Sequence, residues 1–195
     1  MKRIAFLLLA SAALAQADWA IYRSGPLEVI SNADDKTVRL VLATLDQEKW
    51  LAGQFLAKPD IAPLWPVRIV VVKKERGAEV YRTPRVELRR DSYGAGLVEG
   101  DPLPREWQTD FARILLNDAI GPLPPSIENG LVELLSNVQA AANRITIQVP
   151  PAPRRTRNWA RIHMLASDGG VRMRVFLQNL QQSAPIDTEI GRAHV

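Results

Sequence analysis

Residues 27–56 read LEVISNADDKTVRLVLATLDQEKWLAGQFL, and this stretch decides the fold class. Residues 27–30 alternate as a strand does, and residues 31–35 supply N-cap side chains and first-turn carboxylates. Apolar residues then recur along one helical face, at Val38, Val41, Leu42, Leu45, Ala52, Phe55 and Leu56. Pro59 ends this helix. A strand that leads directly into a long amphipathic helix predicts a fold that mixes both kinds of element.

The next segments predict further strands. Residues 67–72, VRIVVV, are β-branched and nearly continuously apolar, which predicts a strand buried on both faces. Residues 80–81 and 85–89 predict short strands, and Tyr-Gly-Ala-Gly at 93–96 predicts a turn or loop. The glycine spacing there does not fit a dinucleotide-binding fingerprint.

Two amphipathic helices follow, separated by the breaker Gly-Pro-Leu-Pro-Pro at 121–125. The first starts near Pro104 and carries Trp107, Phe111, Ile114, Leu115 and Asp118 on one side. The second has Ser126 in its opening turn, and its buried stripe comprises Ile127, Leu131, Leu134, Leu135 and Val138.

The last third of the chain predicts a strand over 144–149 and a helix over 158–166, while 171–180 fits either a strand or a helix. Strands and helices mix without regular alternation. We therefore expect an α+β fold, with a small mixed sheet packed against an amphipathic helix.

Both ends of the chain differ from the rest. Residues 1–17 combine a basic start, an apolar run and a small-x-small site, the pattern of a signal peptide, so we expect export to the periplasm or beyond. Residues 189–195, EIGRAHV, resemble translated sequencing adapter, because six consecutive residues match one reading frame of it. We therefore expect the domain to occupy residues 18–188 and the natural protein to continue past about Thr188.

Composition excludes several chemistries. The 195 residues contain no Cys and two His, which leaves no thiol catalysis, no Cys-ligated metal and too few imidazoles for a His-rich centre. Without Lys2, Arg3, Glu189 and Arg192 the chain carries 22 basic and 20 acidic residues. A nearly neutral exported chain is not expected to bind nucleic acid.

The central helix pair carries a resemblance. Residues 125–135, PSIENGLVELL, are similar to the PxWLxEGLAEYF helix of gluzincin metallopeptidases of the aminopeptidase-like branch, and residues 109–113, TDFAR, align with the preceding HExxH motif. The resemblance covers about residues 25–166 as an order of elements and 109–135 as motif. It implies a zincin-like pair of helices.

The departures from that motif concern the metal ligands. The resemblance places Thr109 and Arg113 where the family has its two histidines, and Asn129 where it has a ligating Glu. Asp110, at the position of the general base, and Glu133, a supporting carboxylate, remain acidic. A permanent cation near the metal position repels a metal ion. We therefore expect no metal, no cofactor and no zinc hydrolysis, with these five positions vestigial.

Three arrangements of these residues stay open. Asp110 and Arg113 are three residues apart on a helix, which allows an exposed ion pair worth under about 1 kcal/mol. Alternatively, the polar residues form a buried cluster in place of the lost metal. The third arrangement is a working catalytic site.

A basic segment lies further on. Between residues 144 and 174 the sequence has seven arginines and one acid, Asp168. This segment predicts a binding site for an anionic partner, formed by Arg154, Arg155, Arg157, Trp159 and Arg161. A solvent-exposed surface explains the same run of basic residues.

We therefore expect a non-catalytic binding or scaffolding module of the cell envelope, with an envelope protein or polymer as its partner and further C-terminal modules. The alternatives are a hydrolase with a non-standard site and a purely structural envelope protein.

Overall fold

A computed structural model describes residues 19–141, 144–149 and 157–183. The predicted signal peptide and the predicted adapter-derived tail lie outside these residues, so both stay predictions. No helix within the described ranges is long and apolar enough to cross a membrane.

The α+β fold class is confirmed, since the described chain contains a five-stranded mixed sheet and five α-helices. The strands of the main sheet are β1 (Ala20–Ser24), β2 (Leu27–Ser31), β3 (Val67–Val72), β4 (Glu87–Leu88) and β5 (Tyr93–Val98). Their spatial order is β1-β2-β3-β5-β4. The three inner strands run parallel, and each edge strand is antiparallel to its neighbour. A two-stranded antiparallel ribbon consists of β6 (Val138–Ala141) and β7 (Arg144–Ile147).

The helices are α1 (Asp35–Leu56), α2 (Arg105–Ile120), α3 (Pro125–Leu135), α4 (Arg157–Ala166) and α5 (Val171–Ser183). Asp34 caps α1, since its carboxylate accepts a hydrogen bond from the Thr37 N–H at 2.6 Å. Pro125 opens α3, where its fixed φ suits the first turn. The core lies between these helices and one face of the sheet, and its largest fully buried side chains include Trp107, Phe111, Leu45 and Ile69.

Residues 93–96 correct the sequence interpretation. They are predicted as a turn or loop, but they begin β5, which pairs with β3 along its whole length. A Cβ added to Gly96 would lie 1.9 Å from the Tyr81 carbonyl oxygen. Gly96 is therefore required because the Tyr81 main chain crosses directly over the strand.

Other local predictions need smaller corrections. Val80 and Tyr81 end a short 3-10 turn (Ala78–Tyr81) rather than forming a strand. Val138 opens β6, because α3 has already ended at Leu135. In β3 the face opposite the helices is only partly covered, with Arg68 exposed, so burial on both faces was wrong for that part. The ambiguous segment at 171–180 is helical.

Candidate functional site

Asp110 is the most constrained of the predicted site residues. It lies on α2 and is only 7% exposed. Its Oδ2 accepts hydrogen bonds from Arg85 Nε and from the Val86 N–H, both at 3.1 Å, while its Oδ1 pairs with Arg85 Nη2. The Asp110 carboxylate raises the pKa of the Arg85 guanidinium through these contacts. Both carboxylate oxygens are thus occupied by donors from the segment that enters β4.

Arg113 forms a separate ion pair. Its Nε donates to Glu128 Oε1 at 3.1 Å, which joins α2 to α3. Its two terminal nitrogens have no hydrogen-bond partner among the residues that the structure describes. Asp110 and Arg113 therefore pair with different residues, and the exposed pair between them does not form.

A groove of about 430 Å³ lies between β4 and α2. Its walls are formed by residues before and within β4, by the first residue of β5 and by one face of α2, namely Arg85, Val86, Leu88, Tyr93, Asp110, Arg113, Ile114, Asn117 and Asp118. The helical members recur at intervals of three and four residues, so they share a face of α2. Polar groups at Arg113 and Asp118 and apolar groups at Val86, Leu88 and Ile114 line the same open space.

The free main-chain edge of β4 belongs to this groove. The Arg89 N–H donates to the Ser92 carbonyl at 2.7 Å within the hairpin, whereas the Val86 N–H points the other way, to Asp110. Main-chain groups alternate sides along an antiparallel strand, so the N–H and C=O of Leu88 point away from β5. Leu88 thus presents one donor and one acceptor at the edge of the sheet.

Asp118 and Tyr93 form the end of the groove that lies away from Arg85 and Asp110. Asp118 Oδ2 accepts from the Leu64 N–H at 2.7 Å and lies 3.4 Å from the Tyr93 hydroxyl. Burial raises the pKa of Tyr93, and the neighbouring Asp118 charge raises it further. The phenol therefore stays protonated and holds the Asp118 side chain in place.

The other motif positions lie elsewhere. The Thr109 hydroxyl donates to the Arg105 carbonyl one turn back at 3.1 Å, which is a local helix contact. Asn129 is exposed and Glu133 is half-buried on α3, and neither lines the groove. The structure therefore brings Asp110 and Arg113 together at the groove and leaves the other three positions outside it.

Gly130, in the same motif, has a packing role. A Cβ at this position would lie 2.6 Å from an Ile162 side-chain carbon and 3.0 Å from the Asn158 carbonyl oxygen. Because Gly130 has no side chain, α4 can cross closely over α3 at this position.

The described part of the chain contains no metal-binding cluster. Within the described ranges, no three His, Asp or Glu side chains lie close enough to hold a metal ion. This agrees with the occupied Asp110 carboxylate, whose partners are already protein donors.

The predicted basic site is only partly described. Arg154 and Arg155 lie outside the described residues, as does the side chain of Arg157. Trp159 is 5% exposed and stacks on His163 with ring centroids 4.6 Å apart, whereas Arg161 is exposed. The indole therefore packs within the protein and offers little surface to a partner.

Sequence reasoning missed Arg85 and the β4 edge. No spacing rule links Arg85 to a residue 25 positions later, because the antiparallel pairing of β4 with β5 sets their contact. The short strand itself was predictable, but its place at the sheet edge beside α2 was not.

Comparisons with protein-family models, with curated proteins and with solved structures found no match for this chain. The groove geometry is therefore the main basis for a functional proposal.

Proposed function

We propose that this chain is a non-catalytic binding module of the cell envelope that holds an extended segment of a partner protein in the groove between β4 and α2. One observation carries the proposal: Leu88 lines the groove, and its outward main-chain donor and acceptor have no partner among the described residues. An exposed strand edge is a template for adding another strand, and the side pockets then select the sequence.

The groove supplies contacts for such a segment. Main-chain pairing with Leu88 gives sequence-independent affinity, as in other cases of strand addition. The apolar side chains of Val86 and Ile114 line the space where alternate ligand side chains would enter. A volume of about 430 Å³ accommodates a few ligand residues and favours binding over a purely structural role, for which a filled groove is expected.

The same residues argue against hydrolysis. A general base needs a carboxylate oxygen free to take a proton from water, and both oxygens of Asp110 already accept hydrogen bonds from protein donors. The Arg113 guanidinium cannot ligate a metal, since it stays protonated in proteins. We therefore propose that the ancestral zinc chemistry has been lost.

The ancestry is part of the proposal. The motif at 109–135 is the reason to derive the domain from a gluzincin-like peptidase, with α2 and α3 as the former zincin-like helix pair. The N-terminal pattern at 1–17 is the reason to propose export to the periplasm or the medium. Further C-terminal modules and a scaffolding role follow from the same resemblance.

The test is a selection of random peptides on the purified whole chain, followed by binding measurements on two variants. Leu88→Pro removes the outward N–H but no hydrogen bond within the sheet, since the neighbouring residues make the inward bonds. Leu88→Ala, the matched control, trims the side chain and keeps the N–H. We expect selected peptides to bind Leu88→Ala about fivefold more tightly than Leu88→Pro, the worth of one hydrogen bond.

Equal binding to the two variants, or a failure to select any peptide, would contradict the proposal. Metal-independent turnover of a peptide that is abolished by Asp110→Asn would instead establish a hydrolase with a non-standard site.

A further inference from the structure

We infer that the bound segment runs antiparallel to β4 and places a cationic group at Asp118 and a carboxylate at Arg113. This inference rests on the proposed function and specifies its ligand. It comes from the direction of β4 relative to α2 and from the order of charges along the groove.

Two contacts fix the direction of the strand relative to the helix. The Val86 N–H bonds to Asp110, and Tyr93, which stands opposite Leu88 in the sheet, contacts Asp118. Passing from Val86 to Leu88 therefore follows α2 from residue 110 towards residue 118. The two elements run the same way along the groove.

The charges along the groove have a definite order. Arg85 and Asp110 neutralise each other at one end. Arg113 follows, with its terminal nitrogens unpartnered within the described chain and its partner Glu128 outside the groove lining. Asp118 closes the other end, where only its Oδ2 has partners among the described residues. The groove thus offers a cation towards Val86 and a carboxylate towards Leu88.

A strand antiparallel to β4 matches this order. Its amino end lies at the Leu88 side, beside Asp118, and its carboxyl end lies at the Val86 side, beside Arg113. The terminal charges of a short peptide then face opposite charges, whereas a parallel strand would face like charges.

The spacing sets the size of the ligand. Residues 113 and 118 are five positions apart on α2, or about 7.5 Å along its axis at 1.5 Å per residue. An extended chain covers that distance in about two to three residues. Either the free ends of a tripeptide or two charged side chains at that separation satisfy the arrangement.

The experiment uses four trialanine probes: free, N-acetylated, C-amidated and capped at both ends. Affinity for the whole chain is measured by NMR titration, following the Leu88 amide. We expect each cap to weaken binding about threefold, as for a partly exposed ion pair. Arg113→Gln removes the effect of the amide cap alone, and Asp118→Asn removes the effect of the acetyl cap alone. Arg68→Gln, on the opposite face of the sheet, is the control and changes neither.

A second pair of probes distinguishes terminal from side-chain charges. These are Lys-Ala-Glu and Glu-Ala-Lys, both acetylated and amidated. Tighter binding of Lys-Ala-Glu means that side-chain charges suffice for recognition. Equal binding of the two probes, together with the effects of the caps on trialanine, means that the groove binds the free termini. Both results support the inference. Tighter binding of Glu-Ala-Lys, or peptides that shift the Leu88 amide with no dependence on charge, would overturn the inference and leave the proposed function standing. A Leu88 amide that no probe shifts would contradict both.

Discussion

Replacing Glu48 with Gln should remove a pH dependence from the stability of the protein. Glu48 occupies a core position of α1, is fully buried, and has no hydrogen bond to either carboxylate oxygen within the described structure. Burial raises the pKa of Glu48 well above its ordinary value. The Ala112 N–H on α2 opposes that shift without reaching hydrogen-bonding geometry. Burial therefore favours the neutral, protonated form of Glu48 in the folded protein.

The sign and size of the effect follow from proton linkage. Above the ordinary pKa of a glutamic acid the unfolded chain has lost this proton, and the folded protein keeps it. The contribution of Glu48 to stability is fully present below that pH and is lost as the pH rises towards the raised, folded-state pKa. Between the ordinary pKa of glutamic acid and the raised pKa of folded Glu48, the free energy of unfolding falls by about 1.4 kcal/mol for each pH unit.

Urea denaturation followed by Trp fluorescence at several pH values between 5 and 8 measures this slope. At pH values below the folded-state pKa of Glu48, we expect the difference between the unmodified chain and Glu48→Gln to change by about 1.4 kcal/mol per pH unit, with no change in the urea m value. Glu48→Leu should stabilise the protein at pH 7 by about 1–3 kcal/mol, since it removes an unpaired polar group from the core. Glu79→Gln, on the exposed 3-10 turn, is the control. A difference curve that is flat across this range would refute the assignment of a buried, protonated Glu48.

Three further predictions concern the groove and the sheet. Asp110→Asn should lower the free energy of unfolding by about 1–2 kcal/mol, because it weakens the hydrogen bonds to Arg85. Asp91→Asn, the control in an exposed ion pair, should lower it by under about 0.5 kcal/mol. Equal values in urea denaturation would contradict the buried pairing of Asp110. Gly96→Ala should lower the free energy of unfolding by about 2 kcal/mol or more, because the new Cβ meets the Tyr81 carbonyl. Gly94→Ala should lower it less, because the new Cβ meets only a flexible side chain. Thermal melts that show the reverse order would contradict the close crossing at Gly96. Elemental analysis of the whole chain after zinc incubation and gel filtration should find no stoichiometric zinc, and one zinc per chain would overturn the loss of the metal site.

The sequence predicts those elements whose burial pattern is regular. The stripe on α1 and the β-branched run of β3 each reflect a single physical requirement, burial of one face or of a strand interior. The strand β5 was not predicted because Tyr-Gly-Ala-Gly is typical of a turn. Gly96 is explained by the Tyr81 main chain that crosses over it. That crossing is a tertiary contact, which local sequence does not encode.

The candidate site shows the same division. The motif identifies Asp110 and Arg113 on α2, and both line the groove. It does not identify Arg85, whose contact with Asp110 depends on where β4 lies in the sheet. The only sequence signal for Glu48 is its position: it is a polar residue between Leu45 and Ala52 that lies on the same helical face as the apolar stripe.

Strand addition at β4 is the central claim, and binding of one selected peptide to Leu88→Pro and Leu88→Ala tests it most directly. The two variants differ at the main-chain N–H that faces the groove, so isothermal titration of both isolates its contribution. We predict binding about fivefold weaker for Leu88→Pro than for Leu88→Ala, with both variants folded. Affinities that are equal within error would contradict strand addition at this groove.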